Sequence, residues 1–309
     1  MLEISVAIAP IFLLIMLGHV LRRGNIPSLE FWGLNDRLVY WVLLPSLLFQ
    51  KISTNEVSME LVNSYAIIVV GTFAAVLMVA LLAAWASRAA PPVATSILQG
   101  SVRHNMFIAL ATAQALYGAQ GLALATLITG LLIPVTNIAV VSSMVIMLRK
   151  GQGGGLAFAI VKDLGRNPLL LAIAAGATVN ALTDTPLPII NETTMLLGNA
   201  ALPVMLLCVG ANIRVRELET AMIPMVIACL VKLVLFPIII FALARFMGLS
   251  EVETSVALLF GAVPTSASSY TLARQMGGDA PLMAAIVTLQ TILVFMTMPL
   301  TITLAQRFM

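Results

Sequence analysis

Two stretches decide how this chain is read: SVRHNMFIALATAQALYGAQGLALATL at residues 101–127 and GAVPTSASSYTLARQMGGDAPLMAAI at residues 261–286. Each places a cluster of polar residues inside an apolar run. Each then passes a glycine, Gly118 or Gly277, into a second apolar run. A shift of 159 residues lays Gly118 on Gly277 and Asn105 on Pro264. A shift of 158 lays Pro10 on Pro168, Gly18 on Gly176 and Pro45 on Pro203. A near-constant offset across separate helix pairs points to two copies of one five-helix unit. Five is odd, so the second copy must sit upside down relative to the first.

Composition fits that frame. Of 309 residues, 61% are hydrophobic and only 9% charged, with a mean hydropathy of +1.06. A soluble chain is about a quarter charged, so this one cannot solvate a surface. A bilayer-spanning helix takes about 20 apolar residues, so the length holds about ten. The runs are long and unbroken, which excludes the alternation of a membrane β-barrel. They fall at about 4–21, 34–51, 61–87, 92–117, 120–148, 167–183, 192–212, 220–247, 252–275 and 280–306. The expectation is an all-α integral membrane protein of ten transmembrane helices. Residues 1–148 form the first five-helix repeat, 149–166 a cytoplasmic linker and 167–309 the inverted second repeat. The linker opens with a flexible stretch, Gly151 to Gly155, and continues as an amphipathic helix on the membrane surface.

Basic residues set the orientation. With the N-terminus outside, the inner loops hold Arg22, Arg23, Arg37, Arg88, Arg149, Lys150, Lys162, Arg166, Arg214, Arg216 and Arg274. The outer ends hold only Lys51, Arg245 and Arg307. Cytoplasmic loops are enriched in Lys and Arg, so both termini lie outside the cytoplasm of a cell inner membrane. The net charge of +3 is therefore a topology signal, and no nucleic acid partner is expected. Glu3 before the first span and Arg22-Arg23 after it make that span a retained helix rather than a cleaved signal. Cys208 and Cys229 lie in apolar runs, without a CxxC or nearby histidine, and read as small core side chains.

Polar groups deep in a bilayer are costly, so the few that occur are candidates for the site. Span 4 carries Gln99, Ser101, Arg103, His104 and Asn105; span 9 carries Pro264, Thr265, Ser266, Ser268, Ser269 and Tyr270. Pro264 removes a helix hydrogen bond and frees carbonyls before it. Broken or polar helices at matching places in two repeats mark a transport site, and their N-terminal ends favour an anion. Arg103 either adds a fork suited to a carboxylate, or pairs with a carbonyl or an interface. Asn105, lying on Pro264 by the repeat, is the strongest candidate in span 4. His104 reads more plainly as a core histidine. Pro134 and Asn137 in span 5, and Gln290 and Thr291 in span 10, are either helix-to-helix bonds or further site groups. Lys232, inside span 8, is expected to reach out to water. The candidate substrate-binding set is Arg103, His104, Asn105, Asn137, Pro264, Thr265, Ser266, Ser268 and Gln290. No Walker A, HExxH, GxSxG or repeated His/Cys pattern occurs, so neither enzyme chemistry, a cofactor nor a metal is expected.

APIFLLIMLGHVLRRG (residues 9–24), YWVLLPSLLFQKI (residues 40–52), SVRHNMFIALATAQALYGAQG and PTSASSYTLARQMGGD resemble the auxin efflux carrier family, in its bacterial members. The resemblance runs over nearly the whole chain. It implies a sodium/proton-antiporter-like fold in which helices 4 and 9 are broken and cross at the substrate site. It further implies a scaffold of helices 1, 2, 6 and 7, a homodimer through helices 2 and 7, and a small organic anion such as malate, malonate or an auxin-like acid. One departure stands out: many members have a proline at the span 4 break, where this chain has Ala109-Leu110-Ala111. Span 4 is then broken at Asn105 and small residues, or broken less. The competing class is a receptor, sensor or channel that binds a carboxylate without alternating access. Besides substrate, the expected partner is membrane lipid.

Overall fold

The computed structural model describes residues 1–55, 58–148, 161–162, 164–182, 187–219 and 222–309. Among these the chain is helical and has no strand. The first half runs α1 (Leu2–Arg23), α2 (Leu29–Leu38), α3 (Leu44–Thr54), α4 (Met59–Ala86), α5 (Pro91–Val102) and α6 (Met106–Leu148). The second runs α7 (Pro168–Leu182), α8 (Pro188–Ala211), α9 (Met222–Leu230), α10 (Phe236–Phe246), α11 (Glu251–Ala262), α12 (Ser268–Met276) and α13 (Ala280–Gln306). Six stretches are long and apolar enough to cross a membrane: Leu2–Arg23, Met59–Ala86, Pro91–Leu148, Pro188–Ala211, Met222–Phe246 and Ala280–Gln306. Pro168–Leu182 is a shorter apolar helix. Much of the expected linker lies outside the described residues, including Gly151 to Gly155 and most of its amphipathic helix.

Proline and glycine explain the interruptions. The turns Val39–Leu43 and Val231–Leu235 are π-helical and join α2 to α3 and α9 to α10. Pro45 and Pro237 follow them at the starts of α3 and α10. A proline has no N–H to return to the carbonyl four residues back, and a wider turn absorbs the loss. Pro134 rides inside α6 without breaking it. The sharp bend in α6 falls instead at Gly118, with φ 59° and ψ −144°, a region that side chains avoid. Ser28 caps α2, its Oγ accepting from Phe31 N at 3.2 Å, so the second apolar segment begins earlier than the expected residue 34.

Two close approaches fix one layer. α1 packs on α8, and α3 packs on α7 and α8. A Cβ at Gly18 would strike the Leu207 backbone, and one at Gly210 the Ile15 backbone. A Cβ at Gly176 would stand 2.9 Å from the Phe49 carbonyl. Gly18 and Gly176, like Phe49 and Leu207, are 158 residues apart, so the two contacts use equivalent residues. The remaining helices pack mainly among themselves: α4 on α5, α10 on α11, α11 on α6 and α12 on α13. Small residues where helices touch permit this backbone contact, which supplies the dispersion that association in lipid depends on.

Candidate functional site

The two polar clusters are two helix breaks. α5 ends at Val102, and Arg103 to Asn105 are non-helical, with Arg103 extended at φ −74° and ψ 158°. α11 ends at Ala262 with nearly the same geometry, Val263 at φ −76° and ψ 157°. The chain then stays non-helical to Ala267. Ala109-Leu110-Ala111 is helical throughout, so the first break lies upstream of these residues. Asn105 makes it: its Oδ1 accepts from Phe107 N at 3.1 Å and Ile108 N at 3.3 Å, capping α6 where a proline would otherwise force the stop.

The breaks meet. Asn105 N–H donates to the Pro264 carbonyl at 2.7 Å. The Thr265 hydroxyl donates to the Gln99 carbonyl at 3.2 Å, and Thr265 N–H donates to Gln290 Oε1 at 2.8 Å. Gln290 Nε2 donates to the carbonyls of Gly100 at 2.9 Å and Ala228 at 3.2 Å. Both carbonyls sit where helical pairing is disturbed, Gly100 by the first break and Ala228 by the π turn. One fully buried amide on α13 thus ties both breaks to α9. Beside it Gln99 is also fully buried, and its own amide has no hydrogen-bond partner among the described residues.

A cavity of about 410 Å³ opens beside the crossing. One wall is the start of α6, from Asn105 to Phe107, with the approach to α12, from Ser266 to Ser268. The facing wall comes from the other layer and includes Tyr40, Trp41, Met205 and Val209. Two helix N-termini therefore end at one cavity, and each carries a partial positive charge. Arg103 donates to Ser268 Oγ at 2.8 Å, which holds a guanidinium at its edge, and Ser268 pairs with Ser266 at 2.9 Å. Arg37 and Arg214 also line it, the Arg214 guanidinium lying 4.0 Å above the Tyr270 ring. Asp36 is held by Asn212, whose Nδ2 donates to its Oδ2 at 3.3 Å.

A second cavity, about 390 Å³, lies between the same layers and is lined by Lys51, Gln114, Asn199 and Pro203 among others. Its Leu47, Lys51, Asn199 and Ala111 are offset equivalents of Met205, Val209, Trp41 and Tyr270 in the first.

The sequence candidates separate accordingly. Asn105, Ser266 and Ser268 line the first cavity, and Arg103 is bonded to its wall. Pro264, Thr265 and Gln290 are buried within the crossing and line neither cavity. His104 is buried, its ring 5.9 Å from that of Phe260 and edge-on to it. Asn137 sits half-buried on the far arm of α6 and lines neither cavity. Lys232 overturns its expectation. It is 0% exposed, and its Nζ donates to the Phe260 carbonyl at 3.1 Å. Arg214 and Tyr270 form the wall contact that sequence reasoning missed. Tyr270 was legible within the span 9 cluster, whereas Arg214 looked only like a loop charge.

A helical membrane protein whose broken helices meet at a cavity fits a membrane transport protein. The comparison with known families agrees: residues 3–302 match the model described as membrane transport protein. The chain belongs to this family, that of auxin efflux carrier-like membrane transport proteins. No curated protein matches it.

Proposed function

We propose that this chain is a secondary transporter that moves a small organic anion across the cell inner membrane by alternating access. The observation that carries the reading is the convergence of two helix N-termini and a tethered arginine on one cavity. That combination suits a carboxylate, which accepts backbone N–H groups and a guanidinium fork together. The substrate binds through Arg103, Asn105, Ser266 and Ser268, while Thr265 and Gln290 hold the crossing in shape.

In this reading ten helices span the bilayer. Each broken pair counts as one span, and α6 supplies the end of span 4 and all of span 5. The two five-helix units are inverted repeats, which is supported by the equivalent glycine contacts and the equivalent cavities. Both termini lie outside. Arg22, which donates to the Ala211 carbonyl, then shares the inner face with Arg37 and Arg214. The layer of α1, α2, α3, α7 and α8 is the scaffold. Its exposed Leu34, Leu38 and Leu196 face lipid or a second copy in a homodimer. The chain is not an enzyme in this reading and needs no cofactor.

The test is uptake of radiolabelled mono- and dicarboxylates into proteoliposomes, with and without unlabelled substrate inside. A carrier gives saturable uptake that is accelerated by internal substrate. A channel shows no such acceleration, and a sensor binds without moving the anion; either result refutes the proposal.

A further inference from the structure

Lys232 is buried in a chain with few charges, and the transport reading assigns it nothing. Its position follows from Pro264. In a continuing helix the Phe260 carbonyl would accept from residue 264, and proline has no N–H to give. Lys232 Nζ replaces that donor at 3.1 Å. The π turn Val231–Leu235 carries the lysine, and the Phe236 ring lies under the same nitrogen at 4.1 Å. The nitrogen thus sits at the carbonyl end of α11, where the helix dipole is negative, over the negative face of an aromatic ring. Such half-helix carbonyl ends hold the coupling cation in transporters built from broken helices. At the opposite break neutral donors from Gln290 and Thr265 serve the carbonyls of Gly100 and Gln99, and the Arg103 guanidinium is bonded to Ser268 Oγ instead.

We propose that Lys232 is a tethered cation filling the seat that an alkali ion would take at the end of α11. The crossing then holds together, and substrate moves, without sodium or potassium. The functional half of this inference rests on the transport reading, so its test reads stability as well as uptake.

Purified protein in lipid nanodiscs and in proteoliposomes is compared in sodium, potassium and choline chloride of equal ionic strength. Unchanged melting temperature and unchanged malonate uptake are expected of the natural chain. A saturable sodium- or potassium-dependent rise in either overturns the proposal. Lys232→Ala should melt lower and lose uptake by about tenfold or more, since a charge-assisted bond is removed. Methylammonium should restore both saturably, and tetramethylammonium, which has no N–H, should not. Rescue by neither ion, or by both alike, overturns it. If Lys232→Ala does not fold, Lys232→Arg should outlast the neutral Lys232→Met on heating, and the reverse order refutes the idea. A protein that moves none of the mono- and dicarboxylates in any salt removes the transport reading, yet the melting measurements still decide the role of Lys232.

Discussion

Replacing Gln290 with leucine tests whether the crossing is held by one amide. The change keeps the side chain's approximate size and removes all its polar atoms. Three partners lose their bond: Thr265 N–H and the carbonyls of Gly100 and Ala228. At the average of about 0.6 kcal/mol for a side-chain bond between membrane helices, the loss is about 2 kcal/mol. At roughly 1–3 kcal/mol for each buried group left unpaired, it reaches up to about 9 kcal/mol. Gln290 is 0% exposed and lines neither cavity, so water cannot readily replace it. The carbonyls retain some helical partners, which keeps the total below the upper figure. A loss of about 3–5 kcal/mol is expected, a large part of the stability of any protein. Reversible unfolding in mixed micelles with increasing dodecyl sulfate measures it. Gln290→Glu should be worse still, because it sets a carboxylate oxygen against two carbonyls. A loss below about 1 kcal/mol for Gln290→Leu would refute the staple.

Other perturbations separate site from scaffold. Asn105→Asp retains an oxygen that caps α6 and places a negative charge at the first cavity, so melting should change little while carboxylate binding falls by more than about tenfold; unchanged binding by calorimetry would move the site elsewhere. Arg103→Gln can keep a bond to Ser268 but loses the charge, so anion affinity should drop by roughly 1–3 kcal/mol with a neutral analogue nearly unaffected. Gly118→Ala forces a side chain into a strained conformation and should cost about 1–3 kcal/mol in the same unfolding assay, whereas Gly33→Ala, with open space around it, should cost little. Cysteines introduced at Asn25 and Asn55, at the two ends of the second apolar segment, should react with an impermeant maleimide from opposite faces, the native Cys208 and Cys229 being buried. Labelling of both from one face would undo the assigned orientation.

Much of the crossing was legible before any coordinates. Pro264 announces a break because its missing N–H is a local fact, and the offset transfers that break to Asn105. The cap made by Asn105 was hidden, since asparagine stops a helix only when its neighbours leave Phe107 and Ile108 N–H groups in reach. Lys232 was misread for a different reason. A lysine in an apolar run normally stretches to water, and its actual partner, Phe260 O, becomes available only because of a proline four residues further on. Gln290 posed the same difficulty, as its three bonds join helices far apart in sequence. Local chemistry was readable; pairings created by the fold were not.

The two cavities carry a kinetic consequence. Their linings are related by the offset, yet Lys51 stands where the other has Val209, and Asn199 where it has Trp41. If these cavities are the two mouths of the proposed carrier, they present unlike surfaces, and substrate should meet different half-saturation concentrations on the two faces. Microscopic reversibility limits what that asymmetry can achieve. Without a coupled ion, and at zero membrane potential, the ratio of maximal rate to half-saturation must be equal in both directions. A lower KM on one side is then matched by a lower maximal rate from that side. Such a protein rectifies nothing at equilibrium: it sets the concentration range in which exchange responds, and the gradient and the membrane potential set which way the anion goes.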